Sequence, residues 1–283
     1  MRKSFLLVVL FCATTMLGLN IGCSNKKVEP ADSTNVDTTS VDTVQKVDTV
    51  AQIIEETPMP KAADQLFDDF FFNFIANRKL QRKRIKFPLP VTQNGKTTQI
   101  ARNQWTMDKF FRPQGYYTLI FDDEKQANYA KSTDLDSVIV EKIHLKQALV
   151  EQYWFDHQNG IWEMNQIRKI SYEKSYNASF LKFLQRFLAS GGQGMVKTPL
   201  KYSGPDPNGE ETTTVNTTIS ADEWKNFLPE VPGNLIYNIL YGQKYKESNK
   251  KILVFRGLSN GVETQLVFKR KGRSWRLVKV DAY

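Results

Sequence analysis

Residues 274–283 read SWRLVKVDAY, and a related stretch, IWEMNQIRKI, occupies residues 161–170. Each follows a glycine turn (Gly272, Gly160), and each places a tryptophan, Trp275 or Trp162, ahead of alternating apolar residues. That alternation predicts a half-buried strand used twice. Sliding the chain against itself by 113 residues tests the idea, because Phe67, Phe70, Phe74 and Ile75 then fall on Phe180, Phe183, Phe187 and Leu188. Their i, i+3, i+7, i+8 spacing is one face of a helix. Phe155 falls on Phe268, and with small gaps Pro88 meets Pro199 and Trp105 meets Trp224. The order of features is the same in both halves, which predicts a duplicated domain whose two copies end on the same Trp-bearing strand.

Within each copy the pattern predicts a long amphipathic helix (63–80 and 174–189), then a proline-bearing extended piece (85–91 and 195–202). Proline keeps such a piece out of a central ladder position. A short helix around the tryptophan follows (103–111 and 220–228), then extended runs such as YYTLIFD with SVIVEKIHL, and LIYNILYG with KILVFRGL. Helices followed by an antiparallel meander make an α+β domain.

The flanks of this body read differently. The first 22 residues carry Arg2 and Lys3, an apolar run from Phe5 and small residues ahead of Cys23, the layout of a secretory leader. Residues 23–62 are polar, acidic and free of aromatics, with Val-Asp-Thr units starting at Val36, Val41 and Val47. Such a segment buries too little apolar area to offset its ordering entropy and is expected to be a disordered tether. The chain has 283 residues and a formal net charge of +9, and the excess of Lys and Arg lies in the body after residue 62. With two cysteines, both before residue 24, and two histidines, the composition argues against a disulfide framework, a Cys-rich zinc site or a multi-histidine metal centre.

Two resemblances follow from these residues. The leader with Leu19, Gly22 and Cys23 resembles a bacterial lipoprotein signal, which implies lipidation of Cys23 and a protein held on a membrane of the cell envelope; with no acidic export run after Cys23, the periplasmic side is favoured over the cell surface. The stretch FDDFFFNFIANRKLQRKRIKFPLPV, taken with YYTLIFD and PLKYSGPDP, resembles a domain-of-unknown-function family of Bacteroides-type lipoproteins with nuclear-transport-factor-2-like repeats. The resemblance implies two tandem cones, 63–172 and 173–283, each a curved antiparallel sheet wrapping a long helix. That fold hosts enzymes as well as inert binding modules, so it does not settle function.

The expected role is a non-enzymatic binding or assembly module, tethered to a membrane and engaging an envelope protein or a small hydrophobic ligand, with an isomerase- or dehydratase-like enzyme or a small-molecule carrier as the alternative. No catalytic, cofactor-binding or metal-ligating residue is assigned. Tyr116, Tyr117, Asp122, Asp123, His144 and His157 are the residues that could form an acid–base set, but His157 is expected in a hairpin tip, His144 on a polar face, and the paired aspartates in a strand-end turn. A small hydrophobic ligand would be lined by Phe70, Phe74, Trp105, Tyr117, Phe183, Phe187 and Trp224. Arg78, Lys79, Arg82, Lys83 and Arg84, with Lys269, Arg270 and Lys271, are the candidate contacts to an anionic surface. Nucleic acid is not expected as a partner, because the aromatics near these bases take core positions. Phe72 and Trp154 lie off the core stripes and are expected at the surface or between the copies.

Overall fold

The computed structural model describes residues 58–206, 213–227, 235–242 and 248–283. The leader, Cys23 and the tether up to residue 57 lie outside the described residues. The folded part begins before residue 63, however: Met59 packs on the first core and Lys61–Asp64 forms a 3-10 turn.

The first predicted helix is broken in two. Helix α1 (Phe67–Ala76) starts on Asp68 and Asp69, which favour the positive end of the helix dipole, and buries Phe67, Phe70, Phe71, Phe74 and Ile75. At Asn77 the backbone turns extended, and the Asn77 side chain accepts from the Leu80 amide to cap a second helix, α2 (Arg78–Arg84). Helix α3 (Ala178–Ala189) carries the matching stripe of Phe180, Leu181, Phe183, Leu184 and Phe187. It ends into Gly192, whose φ of +75° suits glycine and where a Cβ would come within 2.9 Å of both Phe187 and Trp224. Trp105 sits in irregular backbone just after a turn at residues 102–104 rather than in the predicted helix, while Trp224 lies in a 3-10 turn, Glu223–Phe227.

The strands are β1 (Leu89–Gln93), β2 (Lys96–Ile100), β3 (Tyr116–Phe121), β4 (Ser137–His144), β5 (Leu149–Gln158), β6 (Ile161–Ser171), β7 (Val196–Pro205), β8 (Thr214–Ile219), β9 (Leu235–Leu240), β10 (Lys250–Gly257), β11 (Glu263–Lys271) and β12 (Ser274–Ala282). They form two six-stranded sheets, β2-β1-β6-β5-β4-β9 and β3-β10-β11-β12-β7-β8. The sheets are mixed, not wholly antiparallel, because β1 runs parallel to β6 and β7 parallel to β12. Both proline strands therefore have neighbours on both sides, against the expectation. The reason is local: the β1–β6 register begins at Val91, just past Pro90, and the β7–β12 ladder jumps from Val196 to Lys201, bypassing Pro199. Strand β2 was not foreseen, although Asn94-Gly95 at positive φ (50° and 77°) is the two-residue turn a hairpin demands.

The topology exchanges one strand between the two sheets. Strand β3 pairs with β10, from Tyr116 opposite Gly257 to Phe121 opposite Ile252, and β9 pairs with β4, from Leu235 opposite His144 to Leu240 opposite Ile139. Tyr237, Ile239 and Tyr241 thereby complete the first core, and Tyr116 and Ile120 complete the second. Where the two edge strands meet, Thr118 Oγ1 lies 2.6 Å from the Tyr237 carbonyl and 2.7 Å from its amide, and Asn238 Oδ1 accepts from the Ile120 amide at 2.8 Å. Side chains thus occupy backbone groups that an edge would otherwise leave open. Asn238 Nδ2 also donates to Glu141 at 3.0 Å, as does Gln152 Nε2, so the fully buried Glu141 has both oxygens paired. Burial pushes its carboxyl up, against the pull of those two amide donors.

Each core is filled by rings. Phe155 meets Phe67, Phe70, Phe71 and Phe74 edge-on at centroid distances of 5.4–6.0 Å, and Phe268 meets Phe180, Phe183 and Phe187 at 5.2–5.5 Å. The outer face of the first sheet also packs on the second half, but through Ile143 and Val150 rather than Trp154, which belongs to neither core and is covered by the Arg168 guanidinium at 4.4 Å.

Candidate functional site

The acid–base candidates are dispersed. Asp122 is locked in a 2.5 Å ion pair with the buried Lys251, which also donates to Asn177. Asp123 caps the 3-10 segment Glu124–Lys131 by accepting from the Lys125 and Gln126 amides. His157 is not in the hairpin tip, which is Asn159-Gly160; it lies in β5 and stacks on Trp162 at 4.6 Å. His144 Nε2 stands 3.6 Å from Glu151, and burial holds the imidazole below its ordinary value. Glu151 is held by Lys169 at 3.0 Å, and Asp108 by Lys142 at 2.5 Å, with the Tyr153 hydroxyl within 3.3 Å of both carboxylates. Every carboxylate of this network already has a cation. Among the described residues, no three His, Cys, Asp or Glu side chains are grouped to hold a metal ion.

One carboxyl–tyrosine pair escaped the sequence reading. Tyr241, on the segment after β9, donates to Asp68 at 2.9 Å, and Tyr117 of the other exchanged strand receives a 3.2 Å hydrogen bond from Arg256, itself paired with Glu263 at 2.6 Å. Burial lifts Asp68 from 3.8 to about 6, against the hydrogen bond from Tyr241. A carboxyl raised on folding contributes stability below its unfolded value, and that contribution is lost as pH climbs to the folded value. The displacement corresponds to about 3 kcal/mol, lowered by the partial solvent access of Asp68. Asp68→Asn, which keeps an acceptor for Tyr241, should therefore melt close to the parent at pH 4 and above it at pH 7. An advantage that shrinks with rising pH in thermal denaturation would refute this assignment.

The expected pocket-lining rings Phe70, Phe74, Phe183, Phe187 and Trp224 are core fillers with at most 3% exposure, and Tyr117 is buried as well. Of that set, Trp105 borders an open depression of about 510 Å³ with Met107, Phe110 and Pro113. Phe72 is 37% exposed and leans on Phe111 and Tyr117. Among the candidate anionic contacts, Arg78, Lys79, Lys83, Lys269 and Lys271 face solvent, and Arg82 is half-buried. Arg84 does not reach the surface: its guanidinium grips both oxygens of the buried Asp64 at 2.7 and 2.8 Å and donates to the Trp162 carbonyl. Arg270 lies over the Trp275 ring and reaches Asn249.

A cavity of about 580 Å³ opens at one end of the second sheet. Its apolar walls are Tyr116, Phe227, Phe255 and Val262, and its polar groups come from Gln114, Asn226, Asn260 and Thr264. The exchanged strand brings Gln114 and Tyr116 to a wall otherwise built by residues 205–283. Gln114 Nε2 donates to the Leu235 carbonyl at 3.2 Å, whereas its Oε1 is buried without a hydrogen-bond partner among the described residues. A buried acceptor without a donor is costly.

A family model described as a domain of unknown function, DUF4348, matches residues 46–282. The chain belongs to the DUF4348 family. A crystal structure of an NTF2-like protein from Bacteroides fragilis is 35% identical to this DUF4348 chain, covers 80% of it and 99% of its own length, and superposes with a TM-score of 0.70. The DUF4348 body is thus NTF2-like, a mixed α+β fold with few helices. Comparison with curated proteins gives no match.

Proposed function

We propose that this DUF4348 chain is a non-enzymatic binding protein of the cell envelope, lipidated at Cys23, carried on the tether that follows, and facing the periplasm. Its body is read as two NTF2-like repeats, 63–172 and 173–283, that exchange their β3-type strands; the succession of helix, strand hairpin, crossing strand and three-strand meander in both halves supports that reading. Catalysis inside either cone is disfavoured by cores already filled with rings. The observation that carries the binding role is the 580 Å³ cavity, whose lining sets the amides of Gln114, Asn226 and Asn260 and the hydroxyl of Thr264 among the rings of Tyr116, Phe227 and Phe255. Its ligand is small and mostly apolar, with a polar group for the amides of Asn226 and Asn260 and faces for Tyr116, Phe227 and Phe255.

Native mass spectrometry of the full chain, extracted from its own membrane in mild detergent, tests both halves of the proposal. The expected mass is that of a chain starting at an acylated Cys23 with one non-covalent small molecule. Val262→Trp, at a half-exposed wall position, should abolish the small molecule and leave the acyl mass. A chain without acyl mass overturns the anchor, and a chain without ligand, or with ligand retained in Val262→Trp, overturns the cavity.

A further inference from the structure

A second concave site lies on the outer face of the second sheet. Four adjacent strands, in the order β10-β11-β12-β7, contribute Lys250, Lys269, Lys279, and Lys197 with Lys201 to a depression of about 270 Å³ floored by Val267 and Val278. The register sets Lys250 directly opposite Lys269 and Lys279 directly opposite Lys201. Like charges in directly opposed positions destabilise a sheet, so this arrangement works against the fold unless something anionic lies among the ammonium groups. Two carboxylates reach the rim: Glu124 pairs with Lys250 at 3.0 Å, and Asp281 pairs with Lys279 at 2.6 Å. Lys197, Lys201 and Lys269 have no acidic partner among the described residues, which leaves three positive charges around the hollow.

We propose that this depression binds a phosphoryl group, either on a small soluble phosphate ester or on a lipid headgroup. Three uncompensated ammonium groups more than neutralise a phosphoryl group, whose charge is close to two on a monoester and about one on the phosphodiester of a headgroup, and they offer donors to its free oxygens. The concave shape over an apolar floor concentrates the field of the lysines beyond what a flat surface provides. No aromatic ring lines the depression, so the stacking platform that a nucleic-acid strand requires is missing from it. Lys269 alone was singled out by sequence; the other four lysines come from strands up to 82 residues apart and converge through the sheet order.

The test is calorimetric binding of pyrophosphate to the full chain in low-salt buffer, with co-sedimentation of the same protein on phosphatidylglycerol and on phosphatidylcholine vesicles. The double variant Lys201→Gln, Lys269→Gln removes one lysine from each opposed pair, so it should fold at least as well as the parent in a thermal melt. Binding of pyrophosphate with no preference for phosphatidylglycerol vesicles assigns a soluble phosphate ester, and a preference for those vesicles assigns a headgroup. In either case the double variant should weaken binding by about tenfold or more, and added salt should weaken it in the parent. Absence of both interactions, or binding unaltered in a folded double variant, overturns the proposal.

Discussion

Residues 58–171 and 172–283, produced as separate polypeptides, are each expected to fail as folded monomers, whereas the two produced together should associate. Strand β9 and the residue after it supply Tyr237, Ile239 and Tyr241 to the first core, and β3 supplies Tyr116 and Ile120 to the second. Separation opens both cores and bares two sheet edges, so the expected loss is the whole folding free energy of the body, about 5–15 kcal/mol for an ordinary domain. Circular dichroism and size-exclusion chromatography of the 58–171 piece decide the matter. A homodimer, in which β3 of one copy takes the place of β9 in the other, remains consistent with the exchange. A monomer with cooperative melting would refute it.

The second large effect concerns Arg84. Its charge is paired with Asp64 at 2.7 Å with both side chains at least 90% covered, so Arg84→Met leaves a buried carboxylate without its cation. The expected cost is about 3–5 kcal/mol in urea denaturation. Adding Asp64→Leu to the same chain should recover most of it, because an apolar pair replaces an ionic one. Lys79→Gln or Lys83→Gln, a few positions away on the exposed side of α2, should change stability by about 0.5 kcal/mol or less. Equal losses at Arg84 and Lys83 would return Arg84 to the surface.

These contrasts show which features were legible in the amino-acid sequence. The helix stripes of Phe70 and Phe183, the strands β3 to β6 and β9 to β12, and the facing of Phe155 and Phe268 onto those helices are periodic signals that span a few residues and are legible, whereas β2 and β8 are not among the expected strands. Asn77 interrupted a helix by capping the next one, an event that needs a single polar side chain and leaves no trace in apolar periodicity. The turn at Asn94-Gly95 was legible and overlooked. Arg84 looks like its neighbours in a basic run; its partner Asp64 lies 20 residues earlier, and helix spacing does not connect them. The strand exchange was illegible for a different reason. The β3 and β9 sequences specify strands with buried faces, and nothing local in either states which edge it will join. The Gln114 cavity and the lysine depression inherit that difficulty, since both are assembled by sheet order.

The exchange also sets a timetable. Thr118 meets its partner Tyr237 across a separation of 119 residues, and Ile120 meets Asn238 across 118. The first sheet cannot acquire its last strand until residue 240 has left the ribosome, however early α1 and the β4–β6 meander form. Long-range pairing of this kind slows folding, because the connecting chain must be ordered before the contact rewards it. Through that interval Ile139, Val140 and Ile143 on β4 stand at an unfinished edge, where a second nascent copy carrying the same β3 and β9 sequences is the best-matched wrong partner.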